Sequence, residues 1–396
     1  MMQPTEQRKV YIAEFDLLRG LAAIFMIVNH VAAALVSKPV LEEKLVGSLF
    51  FIGSFAPVLF FFVTGLGAGA QSSRSARSSR WLSVSIKVAI LILADLQMQW
   101  GRGNSFGLDF LGFIGLSILL LEIIRSQKFP LITCAIGFGI ISALRFLVAP
   151  LLRALDLDPQ LPIVDWIVGN SISDISYPFS PWMAYPLLGF IIGAFVARHY
   201  DWLNKNATKV SLQLCAAALL PISASLFLGS RSPGTFFRWG SVAIGFYCAS
   251  FAVIAITMAL ALLAHHKLPS SIVSLVSLRG VASFAVVPIH YFLINLLNRF
   301  LGETLNLISY SVVTILVIAI AFFLSRQVEV IAQKLAKSEQ QKVIWLTLFG
   351  VAVALSIIII RVASNPIAAT IVTTMGQISL CLLFLVRSPF QPRLAR

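Results

Sequence analysis

An arginine and a histidine stand eleven residues apart in an otherwise apolar run, Arg19-Gly-Leu-Ala-Ala-Ile-Phe-Met-Ile-Val-Asn29-His30. On an α-helix, eleven steps of about 100° make three turns plus about 20°, so both side chains share one face. The rise of about 1.5 Å per residue separates them by roughly 16 Å. Asp16, three residues before Arg19, can pair with it and hold its orientation. A guanidinium offers phosphate a planar fork of N–H donors. A neutral imidazole can take a proton from a hydroxyl or an amine. The pair therefore suits a long donor with an anionic head at Arg19 and a reactive end at His30. The spacing fits equally well a snorkelling arginine at a helix end and a core histidine bonded to a neighbour.

A second intramembrane histidine lies in Val286-Val287-Pro288-Ile289-His290-Tyr291, with Asn295 further on. Its depth resembles that of His30, which implies a shared polar site, and Asn29 or His290 could fix the tautomer of His30. A buried structural histidine explains His290 taken alone. Polar groups inside a bilayer are expensive, which makes both histidines functional candidates. Arg74, Arg77 and Arg80 follow the second apolar run and could attract an anionic donor, although topology already accounts for them. Asp95 and Asp109 flank the turn Trp100-Gly-Arg102-Gly and either line an outer cavity or are solvated.

These residues need a frame. The chain has 396 residues, 58% hydrophobic and 12% charged, with a mean hydropathy of +0.91. A soluble domain has about 25% charged residues, so water cannot cover this surface. In lipid only helices or a closed barrel satisfy the backbone, and long runs without alternation choose helices. The expectation is an all-α polytopic bundle of ten to twelve spans. Runs near 17–37, 48–70, 81–100, 108–125, 129–150, 181–198, 208–229, 240–264, 281–299, 305–325, 342–361 and 366–386 make the full twelve. Pro57 should bend the second, and Gly65 with Gly69 offers a small-xxx-small packing face.

The net charge of +14 is scattered over short loops with no aromatic-interleaved basic stripe, so it reads as a topology signal and not as nucleic-acid binding. Lys and Arg concentrate on one set of loops, which puts both termini in the cytoplasm. Residues 151–180, with Asp156, Asp158, Asp165, Asp174, Trp166 and Tyr177, would then form an extracytoplasmic cap, or equally a merely solvated loop, within a single domain spanning 11–390. Trp182 and Tyr185 are placed to anchor at the interface. The four cysteines fall in apolar runs without metal-ligand spacing, and no metal is expected.

The motifs, in order, resemble a known superfamily of transmembrane acyltransferases. Arg19 and His30 look like the first-helix signature of the acyltransferase-3 membrane proteins. Phe62-Val63-Thr64-Gly65 resembles their Phe-x-Ser-Gly element, and Pro288-Ile289-His290 after Ser283 resembles a late helix whose tyrosines are absent here. Glu14-Phe15-Asp16-Leu17-Leu18-Arg19-Gly20 is similar to the opening helix of the heparan-alpha-glucosaminide N-acetyltransferase-like proteins. Leu108-Asp109-Phe110-Leu111-Gly112 resembles their fourth-span segment, without the usual His of an Ile-Leu-His triplet, and Phe179-Ser-Pro181-Trp182 through Tyr185-Pro186-Leu-Leu-Gly189 looks like their Pro-Trp-x-Gly element. The likeness covers the first half well and the rest thinly.

What the resemblance implies is transfer of an acyl group, chiefly acetyl, from cytoplasmic acyl-CoA to a glycan or glycolipid acceptor on the far side. His30 would be base or acyl carrier and His290 an auxiliary group. Arg19, Asp16, Arg74 and Arg77 would serve the CoA phosphates. The expected partners are the lipid bilayer, acyl-CoA and the acceptor, in a bacterial cytoplasmic membrane, with a homo-oligomer compatible. The rival class is a secondary transporter, for which intramembrane acids are few and no repeat is evident.

Overall fold

The computed structural model describes residues 11–72, 78–104, 109–154, 167–168, 176–230, 243–386 and 388–389. Among the described residues the fold is helical, with one isolated β-bridge between Val36 and Leu305. In chain order the helices are α1 (Ala13–Leu35), α2 (Lys38–Leu41), α3 (Lys44–Gly53), α4 (Ala56–Gly69), α5 (Ser78–Gly101) and α6 (Phe110–Arg125). Then come α7 (Pro130–Ala154), α8 (Phe179–Trp182), α9 (Ala184–Arg198), α10 (Tyr200–Lys205), α11 (Ala207–Ser230) and α12 (Ile244–Lys267). The last are α13 (Ser270–Val276), α14 (Ala282–Leu301), α15 (Leu307–Ala336), α16 (Gln341–Val362) and α17 (Pro366–Leu383).

Among the described residues, eleven spans are long and apolar enough to cross a membrane, with α3 and α4 counted together. The expected twelfth, over 108–125, forms α6, which has 16 residues. At about 1.5 Å per residue it measures roughly 24 Å, short of a hydrocarbon core of about 30 Å. Asp109 is the reason: its carboxylate accepts from the Phe110 N–H at 2.9 Å and caps the helix there. At the other end Arg125 pairs with Glu122 at 2.9 Å and donates to the Gln71 carbonyl at 3.3 Å. In contrast, α15 runs 30 residues, about 45 Å, so one end projects beyond the apolar slab.

The second run is two helices, not one. The helix breaks at Ser54–Phe55, and Pro57 falls in the first turn of α4. Proline has no N–H to give to the Gly53 carbonyl, so α3 cannot continue through it. A Cβ at Gly53 would sit 2.8 Å from Asn29, so the break brings α3 directly onto α1 beside His30. Further along, Gly65 and Gly69 of α4 face Gly189 and Gly193 of α9. A Cβ on any of the four would strike backbone of the other helix, at Pro186, Phe190, Phe62 or Leu66. The small-residue face is a packing seam, as its spacing implies.

Helix α1 is central and packs on α3, α4, α12, α14 and α15. Tyr310 of α15 donates to the Val28 carbonyl at 3.0 Å, and the Leu305 N–H to the Leu35 carbonyl at 3.0 Å. The outer helices turn apolar side chains outward, with Leu220 of α11 78% exposed and Phe300 77%. That inversion of the soluble pattern is what a lipid solvent requires.

One expectation changes in the structure. Trp182 and Tyr185 are not interfacial anchors: both are completely buried, and Tyr185 accepts from Ser250 at 3.0 Å. Trp182 instead joins an aromatic cluster with Phe61 and Tyr177, at ring separations of 5.8 and 5.0 Å. Most of the cap, including Asp156, Asp158, Asp165, Trp166 and Asp174, lies outside the described residues, as do Arg74 and Arg77. The end of that loop is tied down, because Ser180 Oγ accepts from the Arg145 N–H at 3.0 Å and donates to the Ile141 carbonyl at 2.6 Å.

Candidate active site

The two histidines meet. His30 Nδ1 lies 2.8 Å from His290 Nε2, and the rings stack nearly parallel, 5.1 Å apart at 10°. Residues 260 positions apart in sequence are joined because α1 and α14 pack side by side. His290 is fully buried, whereas His30 is half-buried and lines an open space of about 530 Å³. Met26 and Asn29 of α1, Ser54 and Pro57 at the helix break, and Asp109 and Tyr177 share that lining.

Hydrogen-bond logic orients the pair. His290 Nδ1 lies 2.8 Å from the Val286 carbonyl, which can only accept, so Nδ1 carries a proton. In the neutral ring Nε2 is then an acceptor, and His30 Nδ1 must donate to it. The remaining nitrogen, His30 Nε2, is left with a lone pair, 3.5 Å from the Tyr291 hydroxyl. One imidazole thus fixes the tautomer of the other and presents a base. Asn29, the alternative partner, donates instead to the Phe50 carbonyl at 3.0 Å.

Two residues missing from the sequence-based set complete the site. Tyr291 lies against both histidines, with ring separations of 4.9 Å to His30 and 4.4 Å to His290. The Arg102 guanidinium stands 5.3 Å over the Tyr291 ring and pairs with Asp109 at 3.0 Å. Tyr291 was legible as the neighbour of His290, but a tyrosine inside a helix carries no signal of which ring it will face. Asp109 does line the cavity. Asp95 is buried and accepts from the N–H groups of Asp109, at 2.7 Å, and Leu111, at 3.1 Å. It holds the start of α6 in place.

Arg19 lies elsewhere, one long stretch of α1 away. It pairs with Asp16, which also accepts from the Tyr11 hydroxyl and lies 3.8 Å from Arg279. Burial, followed by the bond to Asp16, pushes the Tyr11 phenol up to about 12, so it stays a donor there. The Leu278 N–H bonds the Asp16 carbonyl at 3.0 Å, tying the segment before α14 to the start of α1. A Cβ at Gly67 would lie 3.7 Å from the Arg19 guanidinium, so α4 leaves room beside it. Asp16 and Arg19 are therefore brought together near the start of α1, and His30, eleven residues further along it, meets His290 of α14.

The ends of the helices sort the same way. Near Asp16 and Arg19 lie Arg279, the Glu14 carboxylate and His265 at the end of α12, the last two 4.0 Å apart. Near the histidine cavity lie the end of α5, the start of α6 and, through Asn295 and Thr370 at 3.5 Å, the later part of α14 and the start of α17. Among the described residues no cluster of three or more His, Cys, Asp or Glu is arranged to hold a metal ion.

The arrangement can do acid–base chemistry at a buried cavity, with a cationic group at the far end of the same helix. The model of the heparan-alpha-glucosaminide N-acetyltransferase catalytic region matches residues 12–228, which takes in Asp16, Arg19, His30, Arg102 and Asp109. No match was found among curated proteins or among solved structures. A match over more than half of the 396 residues, on a helical membrane bundle, shows that this chain belongs to the heparan-alpha-glucosaminide N-acetyltransferase catalytic family of membrane acetyltransferases.

Proposed function

We propose that the protein transfers an acetyl group from acetyl-CoA to a carbohydrate acceptor across the membrane, with His30 as general base. The observation that carries this reading is the His30–His290 bond, which leaves His30 Nε2 as a lone pair at the cavity. The acceptor hydroxyl or amine gives its proton to Nε2 as its oxygen or nitrogen attacks the thioester carbonyl. The C–S bond then breaks, and the imidazolium returns the proton to the CoA thiolate. Acetylated acceptor and free CoA are the products, and His30 is regenerated.

The donor is read as entering from the Arg19 end. Asp16 is shared between Arg19 and Arg279, which orients two guanidinium groups on one carboxylate and suits them to a polyphosphate. Arg74 and Arg77 extend the same role by sequence position. With the basic loops inside, this end is cytoplasmic and the Arg102–Asp109 end, with the 151–180 cap, is extracytoplasmic. The same reading keeps 11–390 as one domain, in a bacterial cytoplasmic membrane, with the bilayer, acetyl-CoA and a glycan or glycolipid as partners.

The test is turnover of labelled acetyl-CoA by purified protein offered simple sugars. Arg19→Ala is expected to weaken acetyl-CoA binding about tenfold or more while leaving the chemical step nearly unchanged, because a phosphate contact acts alike in ground and transition states. Unchanged donor affinity in a folded Arg19→Ala protein would remove the arginine from the donor site.

A further inference from the structure

The turn that follows α5 is built around one cation. Gly103 takes a φ of +80°, a conformation that glycine adopts without strain. The Arg102 and Gly103 N–H groups close back on the Gln99 and Trp100 carbonyls, each at 3.0 Å. The Asp109 carboxylate holds the Arg102 guanidinium at 3.0 Å, and Asp95 in turn accepts from the Asp109 N–H at 2.7 Å. Held in this way, Arg102 lies within hydrogen-bonding reach of the Tyr291 phenol, its central carbon 5.3 Å from the ring centre. Tyr291 lies beyond 12–228, so the family match assigns it no part.

The bonds through the histidines run in one direction. The Val286 carbonyl takes the proton of His290 Nδ1, and His290 Nε2 takes that of His30 Nδ1. The Tyr291 hydroxyl, 3.5 Å from His30 Nε2, can meet that lone pair only as a donor. Arg102 has no acceptor atom and can only donate to the phenol oxygen. Hydrogen bonds in series polarise one another, and a cation behind the phenol oxygen makes its O–H a stronger donor. At 3.5 Å the hold on Nε2 is weak, so an acceptor hydroxyl can take the place of Tyr291 there. Asn29 and Ser54 share the cavity wall, but they already donate to the Phe50 and Phe51 carbonyls.

We propose that Tyr291 is a second catalytic residue, donating its O–H to the thioester carbonyl oxygen as negative charge develops there, and that Arg102 is the positioning residue acting through it. This rests on the acetyl-transfer reading. The acceptor atom bonds the carbonyl carbon, its proton passes to His30 Nε2, and the C=O electron pair moves onto oxygen. Tyr291 hydrogen-bonds that oxygen and keeps its own proton. When the pair returns, the C–S bond breaks and the CoA sulfur takes the proton from His30. The cavity beside His30 is lined by Tyr291 and not by Arg102, so the cation reaches the thioester only through the phenol.

The test is turnover of labelled acetyl-CoA by the full chain in detergent, with methyl glucoside and glucosamine as acceptors. Tyr291→Phe keeps the ring against both histidines and removes only the hydroxyl. Loss of one oxyanion donor costs about 10²- to 10³-fold, and a fall of about 10²-fold in kcat is expected, with KM for acetyl-CoA unchanged. The Arg102 side chain is 42% exposed, so its replacement leaves the packing intact. Arg102→Gln should lower kcat about tenfold in the wild-type background and not at all in Tyr291→Phe, since groups acting as one unit are not additive. Arg102→Lys keeps a cation and should recover part of the loss. Wild-type kcat in a folded Tyr291→Phe protein overturns the catalytic role of the phenol. An Arg102→Gln loss of equal size in both backgrounds overturns the coupling. Wild-type protein that turns over acetyl-CoA with neither sugar overturns the acetyl-transfer reading, and this proposal with it.

Discussion

His30→Ala is expected to remove acetyl transfer almost entirely while the protein still assembles and binds acetyl-CoA. A positioned general base contributes about 10²- to 10⁴-fold, and no other described nitrogen at the cavity offers a lone pair held by a second imidazole. The side chain lines open space, so its removal enlarges an existing cavity and does not hollow a packed core. Stability should fall by about 1–3 kcal/mol at most, the cost of leaving the buried His290 Nε2 without its donor. A structural histidine predicts the reverse: lost expression or aggregation, with activity kept by whatever survives. Monodispersity, acetyl-CoA binding and turnover measured on one preparation separate the two outcomes. Substantial turnover in a well-folded His30→Ala protein would leave His30 as a packing residue.

The second large effect belongs to His290, which acts through His30. In His290→Phe the acceptor for the His30 Nδ1 proton is gone, and the ring can place its proton on Nε2 instead. It would then show the acceptor a donor where a base is needed. Loss of the group that fixes a catalytic imidazole reaches about 10⁴-fold in serine-protease triads. Here a fall of about 10²-fold or more in kcat is expected, with KM for acetyl-CoA unchanged. His290→Gln offers a carbonyl oxygen in place of Nε2 and should recover part of the loss. A His290→Phe protein with wild-type kcat, or a Gln variant no better than Phe, would show that His290 does not set the tautomer.

How far the sequence carries this account depends on the element. The bundle was legible because composition and run length decide it. Arg19 and His30 were legible as one face of one helix, since periodicity speaks within a helix. The meeting of His30 with His290 was visible only as similar depth, because which helices become neighbours depends on packing between distant runs. The same limit hid Tyr291 beside His30 and Arg102 above it. Trp182 and Tyr185 misled for a related reason: aromatic residues near the end of an apolar run look the same whether they face lipid headgroups or the bundle interior. Asp109 flanked a turn in sequence, and only the structure shows it both capping the start of α6 and holding Arg102.

Acetyl transfer across the bilayer through the His30–His290 site is tested most directly in sided vesicles. Protein reconstituted in sealed vesicles is sorted by orientation, with methyl glucoside trapped inside and labelled acetyl-CoA added outside. Where the Arg19 end faces outward, labelled acetyl should appear on the trapped sugar, one free CoA thiol should form outside per acetyl transferred, and His30→Ala vesicles should show neither. Escape of the sugar without CoA release would contradict the claim and mark the protein as a transporter.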